Sequence, residues 1–393
     1  MEKVVRRRNK ASKFDSGDVI CNMPENVITN IMNHLPIRDA VRTSILARNW
    51  RFKWTMLTQL VFKHRFSKYG RDLSRLLLHL KGPITKFLLY IPDYMVLDGE
   101  DINHWILFLS RKGIKDFTLV NFRQTLFKLN THLFSCLDLK HLRLQNCSFY
   151  VPPSFHGFPN LLSLEFYDVT FESGNCGEFI SWCPLLEVLC IGNDEERMRK
   201  MKLVVIAKLE NLKTLSLSLC DLDSITIKSS TIFKFAGYFP KLQELYLSFA
   251  KCNLIGEEGA RKFRIAFPYL KTLELYLIDL SSGNMLSCVI EMTRGSPNLQ
   301  SLKIEVQEED NVPTHAHTFP EIDYHTMEQL QLRSVVFEYF NGSENEIHFI
   351  KYLLACSPFL EYIVIDTIIG KLTFAKKLLE LHRASPMAEV YIY

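Results

Sequence analysis

The sequence predicts an α/β protein: a three-helix N-terminal module, then a solenoid of parallel strands with helices on its convex side. Three observations carry this prediction. An apolar triplet at offsets 0, +3 and +5 recurs through most of the 393 residues. A proline stands two residues ahead of the triplet in seven of its copies. Residues 18 to 54 instead place their apolar side chains at helical spacing. A chain this long exceeds one simple core unless the fold is a repeat or a barrel.

The N-terminal module comes first. In PENVITNIMNHL, Pro24 suits a helix N-terminus and Glu25 its first turn. Val27, Ile28, Ile31, Met32 and Leu35 form one stripe, and Pro36 ends the helix. Asp39 is placed to cap a second helix that carries Ala40, Val41, Ile45 and Leu46. The third segment, ARNWRFKWTML, sets Trp50 and Trp54 four residues apart, on one face of a helix. A unit of about 40 residues has little interior. Two indole rings, each offering about 150–250 Å² for burial, plus the aliphatic stripe exceed what it can cover. The solenoid or a partner must cover the rest.

The repeats follow. The clearest copies are PNLLSLEF at Pro159, PLLEVLCI at Pro184, PKLQELYL at Pro240, PYLKTLEL at Pro268, PNLQSLKI at Pro297 and PFLEYIVI at Pro358. Copies without proline start at Ile84, Ile114, Leu139, Leu212 and Met327, and the last, at Ala388, closes the chain. The twelve starts lie 22 to 33 residues apart, with a mean of about 28, inside or near the period of leucine-rich repeats. Residues at +3 and +5 share one face of a strand, and position 0 enters the same core. CGEFISWC, RKFRIAF, FIKYLLAC and TFAKKLLELHRAS, just ahead of the prolines, read as helices. Proline at −2 stops each helix before the strand. Each unit is therefore helix, turn and short parallel strand, and stacking makes the core.

Offsets +2, +4 and +6 then point out of the concave sheet. They include Arg143, Glu165, Tyr167, Tyr246, Glu274, Tyr276, Lys303, Glu305 and Arg333. This face is mixed in sign and carries three tyrosines. Each residue alone is an ordinary solvent-facing strand residue. Together they make a surface suited to protein binding.

Composition narrows the function classes. A net charge of +4 is too small to argue for nucleic acid, and no basic stripe continues along the repeats. No apolar run has the length of a membrane span, and MEKVVRRRNK lacks a secretory core. Arg6, Arg7, Arg8 and Lys10 make a solvated basic arm over residues 1–15, with a nuclear address as the sharper alternative. The ten cysteines include no CxxC pair, so they are expected as reduced, mostly buried thiols of the nucleus or cytoplasm. No P-loop, GxGxxG, GxSxG or HExxH motif occurs, and no cofactor is expected. The segment DNVPTHAHTFPEIDYH, with Asp310, His315, His317, Asp323 and His325, is expected as a solvated inter-repeat loop rather than a metal site.

The run from Met23 to Trp54 resembles the F-box of plant F-box proteins. Pro24, Ile31, Leu35, Pro36, Arg38, Asp39, Ala40, Thr43, Ser44, Leu46, Trp50 and Trp54 match its pattern. Met23 and Lys53 stand where leucine is usual, Ala47 where serine is, and Asn49 where a basic residue is. Ile350 to Glu361 and Arg383 to Glu389 resemble the FBD region at the C-terminus of many of these proteins. The resemblance implies an F-box over 16–62, leucine-rich repeats over 63–317 and an FBD region over 318–393 that closes the solenoid. It implies a non-catalytic substrate-recognition subunit of a Skp-cullin-F-box ubiquitin ligase. Met23, Pro24, Ile28, Ile31, Leu35, Pro36, Val41, Ser44, Leu46, Trp50 and Trp54 would meet a Skp-type adaptor, which links to a cullin-RING ligase. Arg143, Glu165, Tyr167, Tyr246, Glu274 and Tyr276 would meet a target protein. A leucine-rich-repeat scaffold without a ligase role is the alternative.

Overall fold

A computed structural model of the chain describes residues 23–46, 48–63, 70–94, 99–173, 176–192, 209–219, 226–250, 253–255, 267–307, 329–367 and 374–393. The basic arm, Met327 and the histidine-rich segment at 310–325 lie outside these residues, as does RKFRIAF apart from Phe267.

One 14-stranded sheet organises the described residues. Thirteen strands follow each other in chain order, from Gln59–Phe62 at one edge to Glu389–Ile392 at the other. Each pairs in parallel with the next, without a crossover. The fourteenth, Phe127–Leu129, sits beside His141–Tyr150. Each pass of the chain thus adds one strand, which is how a solenoid grows. The triplets explain why. In the register Leu215–Leu245–Leu273–Leu302, every side chain is fully buried. The period-2 pleat sends their neighbours to the open face. A side chain of this size contributes about 1.5–3 kcal/mol when removed from water, so the sealed rows hold the stack together.

The register corrects one start and one spacing, and adds a unit. The unit expected from Met327 is placed by the strand that follows. The strand is Ser334–Phe340, and Val335 and Phe337 pair with Leu302 and Ile304, so position 0 is Leu332. Leu330 and Leu332 are buried, which is why the Met327 triplet mimics a repeat. At the C-terminus Ala388 is buried, as position 0 should be, but Val390 and Ile392, not Tyr391 and Tyr393, pair with Ile363 and Ile365, so the strand lies one residue nearer its start. A slip of one residue turns every side chain to the other face, and Tyr391 and Tyr393 accordingly lie outside the core. The additional unit is Leu57, Leu60 and Phe62, all buried. Its strand pairs with Lys86–Ile91, so the sheet begins before residue 63.

Helices fill the returns, among them Gly99–Ser110, Ser229–Tyr238, Gly283–Arg294 and Glu344–Cys356. The unit ending at Leu161 departs from the helix–turn–strand rule. Residues 151–162 have no helix there. Phe155 and Phe158 fill its place, stacked among Phe134, Phe149, Phe166, Phe171 and Phe179 with ring centroids 4.7–6.4 Å apart. Gly157 makes the turn possible. Its φ is +102°, and a Cβ there would lie 2.0 Å from the Trp182 carbonyl oxygen.

A second regularity recurs within the strands. Asn146, Asp168, Leu277 and Tyr339 have φ between 51° and 57°. Each lies seven residues after its position 0, counting from Leu139, Leu161, Leu270 and Leu332. The sheet register shifts at Leu275/Ile278 and Phe337/Phe340, so the left-handed residue forms a bulge, past which pairing resumes at Ile278 with Val306 and Phe340 with Thr367.

Candidate protein-docking surfaces

The N-terminal module folds around Ile28, Met32, Ile37, Ala40 and Trp50. Its helices are Glu25–His34 and Ile37–Arg42. Pro36 opens the second helix, and Asp39 lies inside its first turn, paired with Arg42 at 3.3 Å, rather than capping it. The third helix is replaced by two 3-10 turns, Arg48–Trp50 and Lys53–Met56. The two tryptophans therefore do different things. Trp50 is 4% exposed and belongs to the interior. Trp54 is half-buried, its ring edge-on to His79 of the helix Gly70–His79, with centroids 6.1 Å apart.

Contacts tie the module to the sheet. The Asn33 amide donates to the Thr58 hydroxyl at 2.9 Å and accepts from the Thr58 N–H at 3.1 Å. The Lys81 N–H donates to the Thr55 carbonyl at 2.8 Å. Lys53, where leucine was expected, forms an ion pair with Glu25 across the module. Its cation joins the third segment to the first helix.

The expected adaptor residues separate by burial. Pro24, Pro36 and Leu46 are exposed; Met23, Ile31, Leu35, Val41, Ser44 and Trp54 are half-buried; Ile28 and Trp50 are enclosed. The two most exposed apolar side chains of the module were not on that list: Ile45 at 87% and Phe52 at 67%, beside Leu46 at 58%. From the sequence, Ile45 is expected on the second helix, with Ala40, Val41 and Leu46. The second helix stops at Arg42, and the 3-10 turn Thr43–Ile45 rotates Ile45 outward. No signal in the periodicity marks that change of pitch.

The open face of the sheet gathers the expected target residues into two clusters. Arg143 and Glu165 are opposite each other on adjacent strands, His141–Tyr150 and Ser163–Ser173. Their ion pair is 3.3 Å long, and the guanidinium lies over the Tyr167 ring, 5.2 Å from its centre. Burial pushes the Tyr167 hydroxyl up to about 12, with Cys190 and Glu165 adding to the shift. The second cluster sits on Glu244–Ser248 and Thr272–Ile278, where Tyr246 is opposite Glu274. Tyr246 donates to Glu244 at 3.3 Å, and Tyr276 donates to Glu274. Between the clusters, Val188–Gly192 and Thr214–Ser218 place only Cys190, Ser216, Gly192 and Ser218 at the central and outer open-face positions. Three strand spacings of about 4.8 Å separate Glu165 from Tyr246. The result is two charged, aromatic shoulders about a small-residue saddle. Arg333 leaves this face. It precedes its strand and pairs with Glu361 at 3.0 Å.

Comparison with known proteins agrees with this architecture. Residues 20–61 match the F-box domain. Residues 102–234 match the leucine-rich repeats of the FBD-associated F-box protein At5g56370. The F-box/FBD/LRR-repeat protein At1g13570 of Arabidopsis thaliana is 30% identical over 413 residues, spanning 96% of this chain and 98% of that protein. The chain belongs to the F-box/FBD/LRR-repeat family. This F-box/FBD/LRR-repeat protein also resembles the Arabidopsis FBD-associated F-box proteins At5g38590 and At4g10400. Each is 26% identical, over 74% and 75% of this chain and 79% of the relative.

Among the described residues, no group of three or more His, Cys, Asp or Glu side chains could hold a metal ion. No helix there is long and apolar enough to cross a membrane. Burial pushes the Cys136, Cys147 and Cys288 thiols up to about 12, so these cysteines are unreactive core residues.

Proposed function

We propose that this F-box/FBD/LRR-repeat protein is the substrate-recognition subunit of a Skp-cullin-F-box ubiquitin ligase. The module docks on a Skp-type adaptor and so on a cullin-RING ligase. The open sheet face holds a target protein. The chain catalyses nothing itself. It raises the effective concentration of the target at the ubiquitin-charged enzyme. The single observation that carries this reading is the exposed trio Ile45, Leu46 and Phe52 on a module whose own interior is already filled by Trp50 and Ile28. Large apolar side chains left in solvent on a small folded unit mark an interaction site. The contacts to Thr58 and Lys81 support a fixed angle between adaptor and target face. The proposed divisions are 1–15 arm, 16–62 F-box with the first strand of the sheet at its end, 63–317 repeats and 318–393 FBD region, with the protein working in nucleus or cytoplasm.

Capture by a purified Skp-type adaptor tests the reading. The wild-type chain is expected to bind, and Ile45→Glu/Leu46→Glu to lose about tenfold or more in affinity with its circular dichroism unchanged. A wild-type chain that fails to bind leaves the repeat scaffold without a ligase role as the better reading.

A further inference from the structure

The observed register sorts the charges of the open face. On the six strands from Glu244–Ser248 to Glu389–Ile392, open-face positions hold Glu244, Glu274, Glu305, Glu338, Asp366 and Glu389. Lys303 is the one cation at such a position there. The first strands show no such bias, since Lys86 and Arg143 are set against Asp116 and Glu165. The chain as a whole is +4, so the acidic excess is a local feature of this half of the sheet. Tyr246, Tyr276, Tyr362 and Tyr391 stand among these carboxylates.

The chain's own cations show what such a Glu/Tyr surface holds. Arg143 is seated between Glu165 and the Tyr167 ring. The Lys303 ammonium is 2.8 Å from Glu338 and 5.6 Å from the centre of the Tyr276 ring. The same Glu-x-Tyr pattern recurs at Glu244/Tyr246 and Glu389/Tyr391. There the tyrosine hydroxyl donates to the carboxylate, and neither carboxylate has an ion pair among the described residues. The local potential is correspondingly negative. Burial, then Glu244 and Glu274, push the Tyr246 hydroxyl up to about 12. Burial, then Glu338, raise the Glu305 carboxyl.

We infer that this half of the open face docks a basic, extended segment of the target protein, whose lysines and arginines sit between glutamates and tyrosine rings. The inference rests on the reading of the open face as the target surface. Glu244, Glu274 and Glu305 each lie one strand over and two residues along from the last. That diagonal has a step of roughly 8 Å, close to the spacing of alternate side chains in an extended peptide. Five strand spacings make the patch about 24 Å wide, too broad for a single metal ion. Nucleic acid would be repelled. Aromatic faces beside carboxylates favour guanidinium and ammonium groups.

The test uses the full chain and a fluorescein-labelled peptide alternating Arg/Lys with Ser, with a Glu–Ser peptide as control. The basic peptide is expected to bind, more weakly as salt rises. Glu274→Gln/Glu305→Gln should weaken it about tenfold. Lys303→Gln should tighten it about threefold, because an internal competitor is removed; a purely structural role for Lys303 would not do this. Glu100→Gln/Asp101→Gln, the same charge change on the helix Gly99–Ser110, should leave binding unchanged. Each variant's fold is checked by circular dichroism. No binding of the basic peptide at low salt overturns the inference, and so does equal weakening by both pairs of substitutions. Adaptor capture is measured on the same preparations. Peptide failure with adaptor binding intact sinks only this inference, whereas adaptor failure with peptide binding intact sinks the ligase reading alone.

Discussion

The F-box module and the repeat sheet use the same kinds of apolar side chain to opposite effect. In the sheet, Leu142, Leu144, Leu164, Phe166, Leu215 and Leu217 are all sealed, because each strand covers its neighbours on both sides. In the module, Ile28 and Trp50 are sealed while Ile45, Leu46 and Phe52 stand in solvent. A stack can always extend its core by another turn; a unit of about 40 residues cannot. The difference teaches how to read exposed apolar side chains here. In the repeats some stand singly in the turns ahead of their strands, as Leu185 and Tyr269 do, and need no explanation. In the module they are contiguous in sequence with its core residues, which points to a partner.

The sharpest way to break this comparison is to unseal the sheet. Gly157→Ala puts a methyl group into the Trp182 carbonyl at a φ that alanine rarely adopts. It should cost more than about 4 kcal/mol and disperse the phenylalanine cluster, seen as loss of the cooperative urea transition. A stable Gly157→Ala protein would show that the turn beside Phe155 and Phe158 is not sealed. Trp50→Ala comes next. It empties the module's core and should cost about 3–5 kcal/mol, whereas Ile45→Glu/Leu46→Glu should change stability by only about 0.5 kcal/mol. Equal destabilisation by the two variants would erase the distinction between core and docking side chains.

Much of this was legible in the sequence, for a stated reason. The triplets at Ile84, Ile114, Leu139, Leu161, Leu186, Leu212, Leu242, Leu270, Leu299 and Leu360 all start units, because the 0, +3, +5 spacing is the geometry of a buried strand face. Register was the weak point. Met327 satisfied the spacing with residues that are themselves buried, and only pairing with Leu302 and Ile304 identifies Leu332. That five-residue error had placed Arg333 on the open face, and the one-residue error after Ala388 had hidden Glu389 there. Together they hid the acidic bias of the later strands. Leu46 of the module's exposed trio was expected, but Ile45 was missed for another reason: the local pitch changes from α to 3-10 at Thr43, and periodicity assumes one pitch throughout.

A moderate effect is expected at the next helix of the sheet. Glu346 is buried, and its carboxylate accepts from the N–H groups of Asn341, Gly342 and Ser343 at 3.1, 2.7 and 3.0 Å. Ser343 completes the capping box by accepting from the Glu346 N–H. Glu346→Ala leaves three donors without their carboxylate and should cost about 2 kcal/mol. A shift in the urea midpoint at constant slope is the measurement. Only a loss within experimental error would show that solvent replaces the carboxylate and that this turn is not sealed as the strands are.

The smallest effect runs the other way. Tyr339 holds φ at +57° one turn ahead of that cap, at the same unit position where another repeat uses Asn146. A left-handed backbone costs an ordinary L-residue about 1–2 kcal/mol, and asparagine less. Tyr339 is exposed, so little packing is lost by replacing it. Tyr339→Asn should therefore stabilise the protein by about 0.5–1 kcal/mol, seen as a raised urea midpoint. Leu277, at the same position with φ +56°, is half-buried, and Leu277→Asn should gain less or nothing, because lost burial offsets the relieved strain. If both substitutions destabilise equally, the bulge geometry is held by side-chain packing and not by the backbone preference of the residue at its centre.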